Sequence, residues 1–299
     1  MTLLARRLTA YGSALLLAFG SLTVMSAPST AAAPPAEELC GPGSAINFDR
    51  SAFPEYPRID NKWFPLKPGM QFTTLGSVTS AEGVHERKVV HTVTGLTKVI
   101  DGVTTRVMWD RDYADGELVE SELAFFAQTR GGTVWLFGEY PEEYENGEFV
   151  GAPSTFISGL AKAQAGIAMP ARPKTGTPSY VQAYAPKVDF LDCGTVFQKN
   201  QEVCVPTGCY DDVLVIDEYN PLEPPEAGHQ RKFYSAGTGL IKVTAVGGPE
   251  QEFMDLVKVR KLNAEQFAAV NEQALELDGR GYDVSRSVYA KTPRAELNY

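Results

Sequence analysis

VTTRVMWDRDYADGELVESELAFFAQTRGGTVWLFGE, residues Val103–Glu139, reads as three antiparallel strands joined by two tight turns. Val103–Asp112 and Glu117–Gln128 are rich in β-branched and aromatic side chains, which suit a pleated, half-buried surface. Asp115-Gly116 lies between them, and glycine takes a positive φ at no steric cost, so this is a hairpin turn. Thr129-Arg130-Gly131-Gly132 then leads into Thr133–Glu139. A slip of one residue turns a strand over, so register is tested by which pairing sorts side chains by polarity. A three-residue first loop, with Gly116 left-handed, puts Val103, Thr105, Val107 and Trp109 on one face with Val119, Leu123 and Phe125. A four-residue second loop adds Val134 and Leu136, and this apolar face is the expected core.

The opposite face collects Arg106, Met108, Asp110, Glu120, Glu122, Ala124, Phe126, Gln128, Trp135, Phe137 and Glu139. In this register Phe126 lies opposite Trp135, and Glu122 opposite Glu139. Opposed like charges destabilise a sheet. Such a face is either a binding surface or a surface covered by the rest of the chain, with Arg106 neutralising the acids. Arg106, Glu122, Phe126, Trp135, Phe137 and Glu139 are the expected ligand-binding residues. The Cβ atoms of Glu122 and Glu139 are expected about 5 Å apart, and one carboxyl pKa should rise. That spacing, beside an aromatic floor, suits a retaining glycosidase. It equally suits a cation or sugar site, or a neutralised pair under a covering helix.

Upstream, Arg6 and Arg7 precede a short apolar run, Ala14–Val24, and a small-residue stretch, Ser26–Ala33. This is the pattern of a cleaved secretory signal over residues 1–33; Arg6-Arg7 matches a twin-arginine signal only weakly. The apolar run is shorter than the roughly 20 residues of a membrane span, so secretion without a stable membrane anchor is expected. The formal net charge of −10 becomes −12 when Arg6 and Arg7 are removed. So acidic a chain is a poor partner for nucleic acid or anionic lipid. No linker or repeat interrupts the remainder, so residues 34–299 read as one β-rich domain. Pro34 to Asp60 is its extended N-terminal arm.

Short strands and turns recur about every ten residues, as in an all-β sandwich or barrel. The expected fold is mainly β, an antiparallel meander forming a barrel or strongly curved half-barrel with one C-terminal helix. Trp63 and Phe64 read as plugs at one end of the sheet. Thr155–Gly176, rich in small residues and ending in Met169-Pro170-Ala171-Arg172-Pro173, reads as an irregular lid over one opening. Asn263 with Gln266 forms a capping box, Phe267, Val270, Ala274, Leu275 and Leu277 give a helical stripe, and Gly279 closes the helix at residues 263–278.

Cys40, Cys193, Cys204 and Cys209 are an even set in an exported chain, and imply two disulfides. Phe197–Gln201 reads as a turn, which would pair Cys193 with Cys204 and leave Cys40 for Cys209. Spacing alone leaves the other two connectivities open.

Asn61–Gly69, Asp112–Glu139, Met169–Gly176, Val205–Glu223, the Phe233–Lys242 strand pair and the Leu275–Pro293 tail resemble a family of secreted bacterial proteins, common in actinobacteria. The resemblance covers most of the mature chain. That family has no established activity, so the resemblance implies export and a β-rich fold, and no site. Cys193, Cys204 and Cys209 look like additions to its pattern.

His85-Glu86 and His91 lack the four-residue helical spacing of a metalloprotease, although period two places both histidines on one side of a strand. No nucleophile elbow, phosphate loop or dinucleotide fingerprint is present. No cofactor and no metal are expected. Three readings remain: a secreted binding protein for a small molecule, lipid or glycan, a carboxylate-dependent glycoside hydrolase, and a cell-envelope interaction protein without a pocket. The expected partner is a small apolar or glycan ligand.

Overall fold

Turn chemistry carries the chain from each strand directly to its neighbour. The strands are β1 (Met70–Ser80), β2 (Gly83–Ile100), β3 (Val103–Ala114), β4 (Glu117–Gln128), β5 (Val134–Glu145) and β6 (Gln164–Met169). They continue as β7 (Tyr180–Ala185), β8 (Phe190–Val205), β9 (Gly208–Tyr219), β10 (His229–Ser235), β11 (Gly239–Val246) and β12 (Gln251–Lys261). Each pairs antiparallel with the next, and β12 pairs back onto β1, which closes a 12-stranded up-and-down barrel. Closure removes the open edges that a sheet of this size would otherwise expose. The computed structural model describes residues 38–298. The expected signal segment, residues 1–33, and the first residues of the arm lie outside these.

Both turns of the deciding stretch differ from expectation. Asp115 (φ 52) and Gly116 (φ 89) form a two-residue turn, so the first loop is one residue shorter than expected. A bulge between Asp112 and Tyr113 restores the side-chain parity, and the expected faces of β3 and β4 hold. The second loop is one residue longer than expected, Thr129–Thr133, closed by Thr129 N–H to Thr133 O at 2.9 Å. That residue turns the start of β5 over. Trp135 now lies opposite Ala127, and Leu136 opposite Phe126. A bulge at Phe137-Gly138 then turns the strand back, placing Glu139 opposite Ala124. Gly138 (φ +155) is needed there, because a Cβ would sit 2.5 Å from the Phe156 carbonyl oxygen.

The expected lid is part of the barrel wall. Phe156–Ile157 pairs with β5 at Gly138–Glu139, and β6 closes the barrel between β5 and β7. Its small residues serve close approach: a Cβ on Gly166 would meet the Val181 carbonyl oxygen at 2.5 Å.

Helix α1 (Ala264–Val284) begins with the expected capping box, Asn263 accepting from Gln266 N–H at 2.8 Å. It runs past Gly279, because Gly281 is used for packing: a Cβ there would lie 2.6 Å from the Tyr289 ring. The helix covers the outer side of β2–β5. Ala274 and Leu277 pack with Val107, Trp109, Leu123, Phe125 and Tyr140. Buried Lys98 Nζ fastens it, reaching Asp278 Oδ1 at 2.7 Å and the Pro293 carbonyl at 2.7 Å.

The disulfides are Cys40–Cys193 and Cys204–Cys209, not the expected pairs. Phe197–Gln201 is bulged strand within β8, and the true turn is Pro206-Thr207. Cys204 and Cys209 are therefore directly opposed, with Cα atoms 4.0 Å apart. Cys40 ties the N-terminal arm to β8.

An acidic barrel interior as candidate functional site

Strand side chains alternate in direction, and α1 covers Val107, Trp109, Leu123 and Phe125 from outside. The alternate residues of β3, β4 and β5 therefore face the barrel interior in four rows. From one mouth inward they are Asp112–Glu120–Glu143, Asp110–Glu122–Pro141, Met108–Ala124–Glu139 and Arg106–Phe126–Leu136. The deepest row is plugged. Phe64 packs on Phe126 and Tyr234, with ring centroids 5.2 and 6.3 Å away. Asn61 Nδ2 donates to the carbonyls of Gly132 and Pro170, and Gly237 N–H donates to Lys62 O, so the 61–66 segment ties together the loops at that end. Accessibility rises towards the other mouth: Glu139 and Glu122 are 0% and 1% exposed, Asp110 8%, and Glu120 is half-buried.

Neither carboxyl oxygen of Glu122, nor either of Glu139, has a hydrogen-bond partner among the described residues. Burial is the main cause pushing the Glu122 carboxyl well above the carboxylate range, and Glu139, Glu120 and Asp110 add to it. Burial likewise raises Glu139, with Asp192, Glu120 and Asp110 contributing. Glu120 is pushed up to about 8 by burial and the Asp112 charge. The facing wall supplies more charge. Lys232 is paired with Glu218, whose Oε1 also accepts from Gln182 Nε2 at 2.8 Å. Burial and Glu218 raise Asp192 to about 6. Burial pulls the Lys232 ammonium down, but Glu218, Asp192 and Glu252 outweigh it, and Lys232 stays charged. Nearer the mouth Arg87 is paired with Asp112. His91 Nδ1 lies 2.9 Å from Asp110 Oδ1 but is not aligned for a hydrogen bond. Acids outnumber the cations able to neutralise them.

Of the six expected site residues, Arg106, Glu122, Phe126 and Glu139 come from interior-facing positions. Glu122 and Glu139 are diagonal, not opposite, which corresponds to Cα atoms roughly 7–8 Å apart. Arg106 does not neutralise them. Its Nη1 donates to the carbonyls of Leu96 (3.2 Å) and Asn298 (3.0 Å), holding the C-terminal strand Glu296–Leu297 on β2. Trp135 and Phe137 are on the outer face, under Phe48 and Phe53 of the N-terminal arm, with ring centroids 5.3–6.1 Å apart. The aromatic floor expected beside the acids is therefore absent, apart from Phe126. Asp192, Glu218, Lys232, Gln182 and Glu252 carry no sequence signal linking them to Glu122, because contacts across a barrel have no register. The only hint is a charged residue at the inward parity of an apolar strand, such as Glu218 after Val213–Ile216.

His85 Nδ1 is 2.7 Å from Asp115 Oδ2. Among the described residues no three His, Cys, Asp or Glu side chains are arranged to hold a metal ion.

Fold and site together define a closed up-and-down barrel with a charged, acid-rich interior. No family model matches the chain. No curated protein matches it either. Among solved structures, it is similar to an exported-protein candidate with YmcC-like fold from Bacteroides fragilis. The identity there is 14% over 67% of this chain and 99% of that one, with a TM-score of 0.39. A lipoprotein candidate from Parabacteroides distasonis matches at 14% identity over 66% of this chain and 97% of the other, with a TM-score of 0.29.

Proposed function

We propose that this chain is an exported binding protein that takes a small polar molecule into the acidic end of its barrel. The observation that carries this is the Glu122–Glu139 pair, buried with all four oxygens unpartnered among the described residues. A buried carboxyl without a partner costs several kcal/mol, so folds keep one where something else satisfies it. The rise in accessibility from Glu139 to Glu120 gives such a molecule a direction of entry. The two disulfides are consistent with an extracellular or envelope location. Ion pairs on the outer wall, among them Arg231–Asp217 and Lys242–Asp255, support a water-facing rather than a lipid-facing barrel. Acidic rows suit a polar ligand better than a lipid chain. A glycosidase would need sugar stacking beside the acids, and Trp135 and Phe137 do not supply it.

The test is native mass spectrometry of the exported protein. A co-purified adduct that is lost in the E122Q/E139Q double variant is expected. Bare protein in both, with no small molecule altering its stability, would contradict the reading.

A further inference from the structure

The unpartnered polar atoms inside the barrel are unequal in kind. Both oxygens of Glu122, both of Glu139, Asp110 Oδ1 and Gln182 Oε1 lack partners among the described residues, and with the carboxyls ionised all six are acceptors without donors. Gln182 adds an independent sign. It comes from β7, two strands round the barrel from β5, is 5% exposed, and its amide already donates to Glu218, which acts on Asp192 as Asp192 in turn acts on Glu139. Its remaining oxygen needs a donor too. The interior also holds unpartnered Arg87 Nε, His91 Nδ1 and Arg106 Nε, fewer than the acceptors, and the Lys232 ammonium and the Arg87 guanidinium are paired with Glu218 and Asp112. A neutral sugar hydroxyl gives one hydrogen and also brings an acceptor. An ammonium group gives up to three donors, no acceptor, and the charge the acids lack. No three carboxylates are arranged to bind a metal among the described residues, which leaves an organic cation as the fitting occupant.

We propose that the barrel ligand is a protonated organic amine with several N–H groups, seated between Glu122, Glu139, Asp110 and Gln182. This rests on the binding reading above. The experiment is isothermal titration and thermal melting of the full mature chain in about 0.15 M salt, where exposed charges are screened. The probes are putrescine, spermidine, choline, N-acetylglucosamine and calcium chloride. Putrescine or spermidine should bind saturably and raise the melting temperature. Choline, which has no N–H, should not. The E122Q/E139Q variant should bind at least about tenfold more weakly, the loss expected from charge-assisted hydrogen bonds. If that variant does not fold, the wild-type probe series still decides the question. A response to N-acetylglucosamine alone, or to calcium alone, overturns the amine proposal and leaves a binding protein of another class. No response to any probe, together with bare protein in the mass spectrum, overturns both.

Discussion

At the scale of single residues, the balance inside the barrel is between burial, which favours neutral carboxyls, and too few cations to hold them charged. Glu120 is raised to about 8 and Asp192 to about 6, with Glu122 and Glu139 well above the carboxylate range. A carboxyl whose folded pKa is raised binds protons more tightly folded than unfolded, so stability falls as pH rises. The contribution is complete below the unfolded value of 4.5 for glutamate and disappears as pH passes through the folded value, about 8 for Glu120. Without ligand, the melting temperature should therefore fall between pH 5 and pH 8, which scanning calorimetry will show. E122Q should raise it at pH 8 and change it little at pH 5. Gly138 is decisive in another way. Gly138→Ala places a Cβ against the Phe156 carbonyl, in a backbone conformation suited to glycine. It should cost about 2 kcal/mol or more, read from urea midpoints.

At the scale of elements, much was legible. Alternation and turn residues gave the strands, and the Asn263–Gln266 box gave the helix start. Asn263→Ala removes that cap and should cost about 1 kcal/mol by chemical denaturation. Boundaries set by packing were not legible. Gly279 has the chemistry of a stop, but α1 continues because Gly281 fits beneath Tyr289 and Lys98 meets Asp278. β5 shows how small the error can be. One extra loop residue sent Trp135 and Phe137 outside, and one bulge brought Glu139 back in. Polarity alone does not separate those cases, since Trp135 and Phe137 are buried on either face, here by Phe48 and Phe53. Thr155–Gly176 misleads for a related reason: small residues that suggest irregular chain are what a tightly crossed wall strand requires.

At the scale of the whole molecule, the barrel class was readable from repeated short strands, whereas the convergence of the acids of β3–β5 with Asp192, Glu218 and Glu252 of β8, β9 and β12 was not. They meet only because β12 closes onto β1. The Cys40–Cys193 bridge belongs to this scale, since it spans 153 residues and fastens the arm that covers Trp135. Cys204–Cys209 spans only 5. In the chain-entropy view the long loop gains more, on the order of 4–5 kcal/mol. Cys40→Ser/Cys193→Ser should therefore lower the melting temperature well beyond Cys204→Ser/Cys209→Ser, by thermal denaturation of the two variants.

Glu122 and Glu139 lie inside the barrel with no hydrogen-bond partner among the described residues. Carbon-13 NMR titration of their side-chain carboxyls, assigned through E122Q and E139Q, measures this directly. Both should titrate well above the ordinary glutamate value of 4.5 in the ligand-free protein, and spermidine should lower them. Ordinary titration of both near 4.5 would contradict that placement.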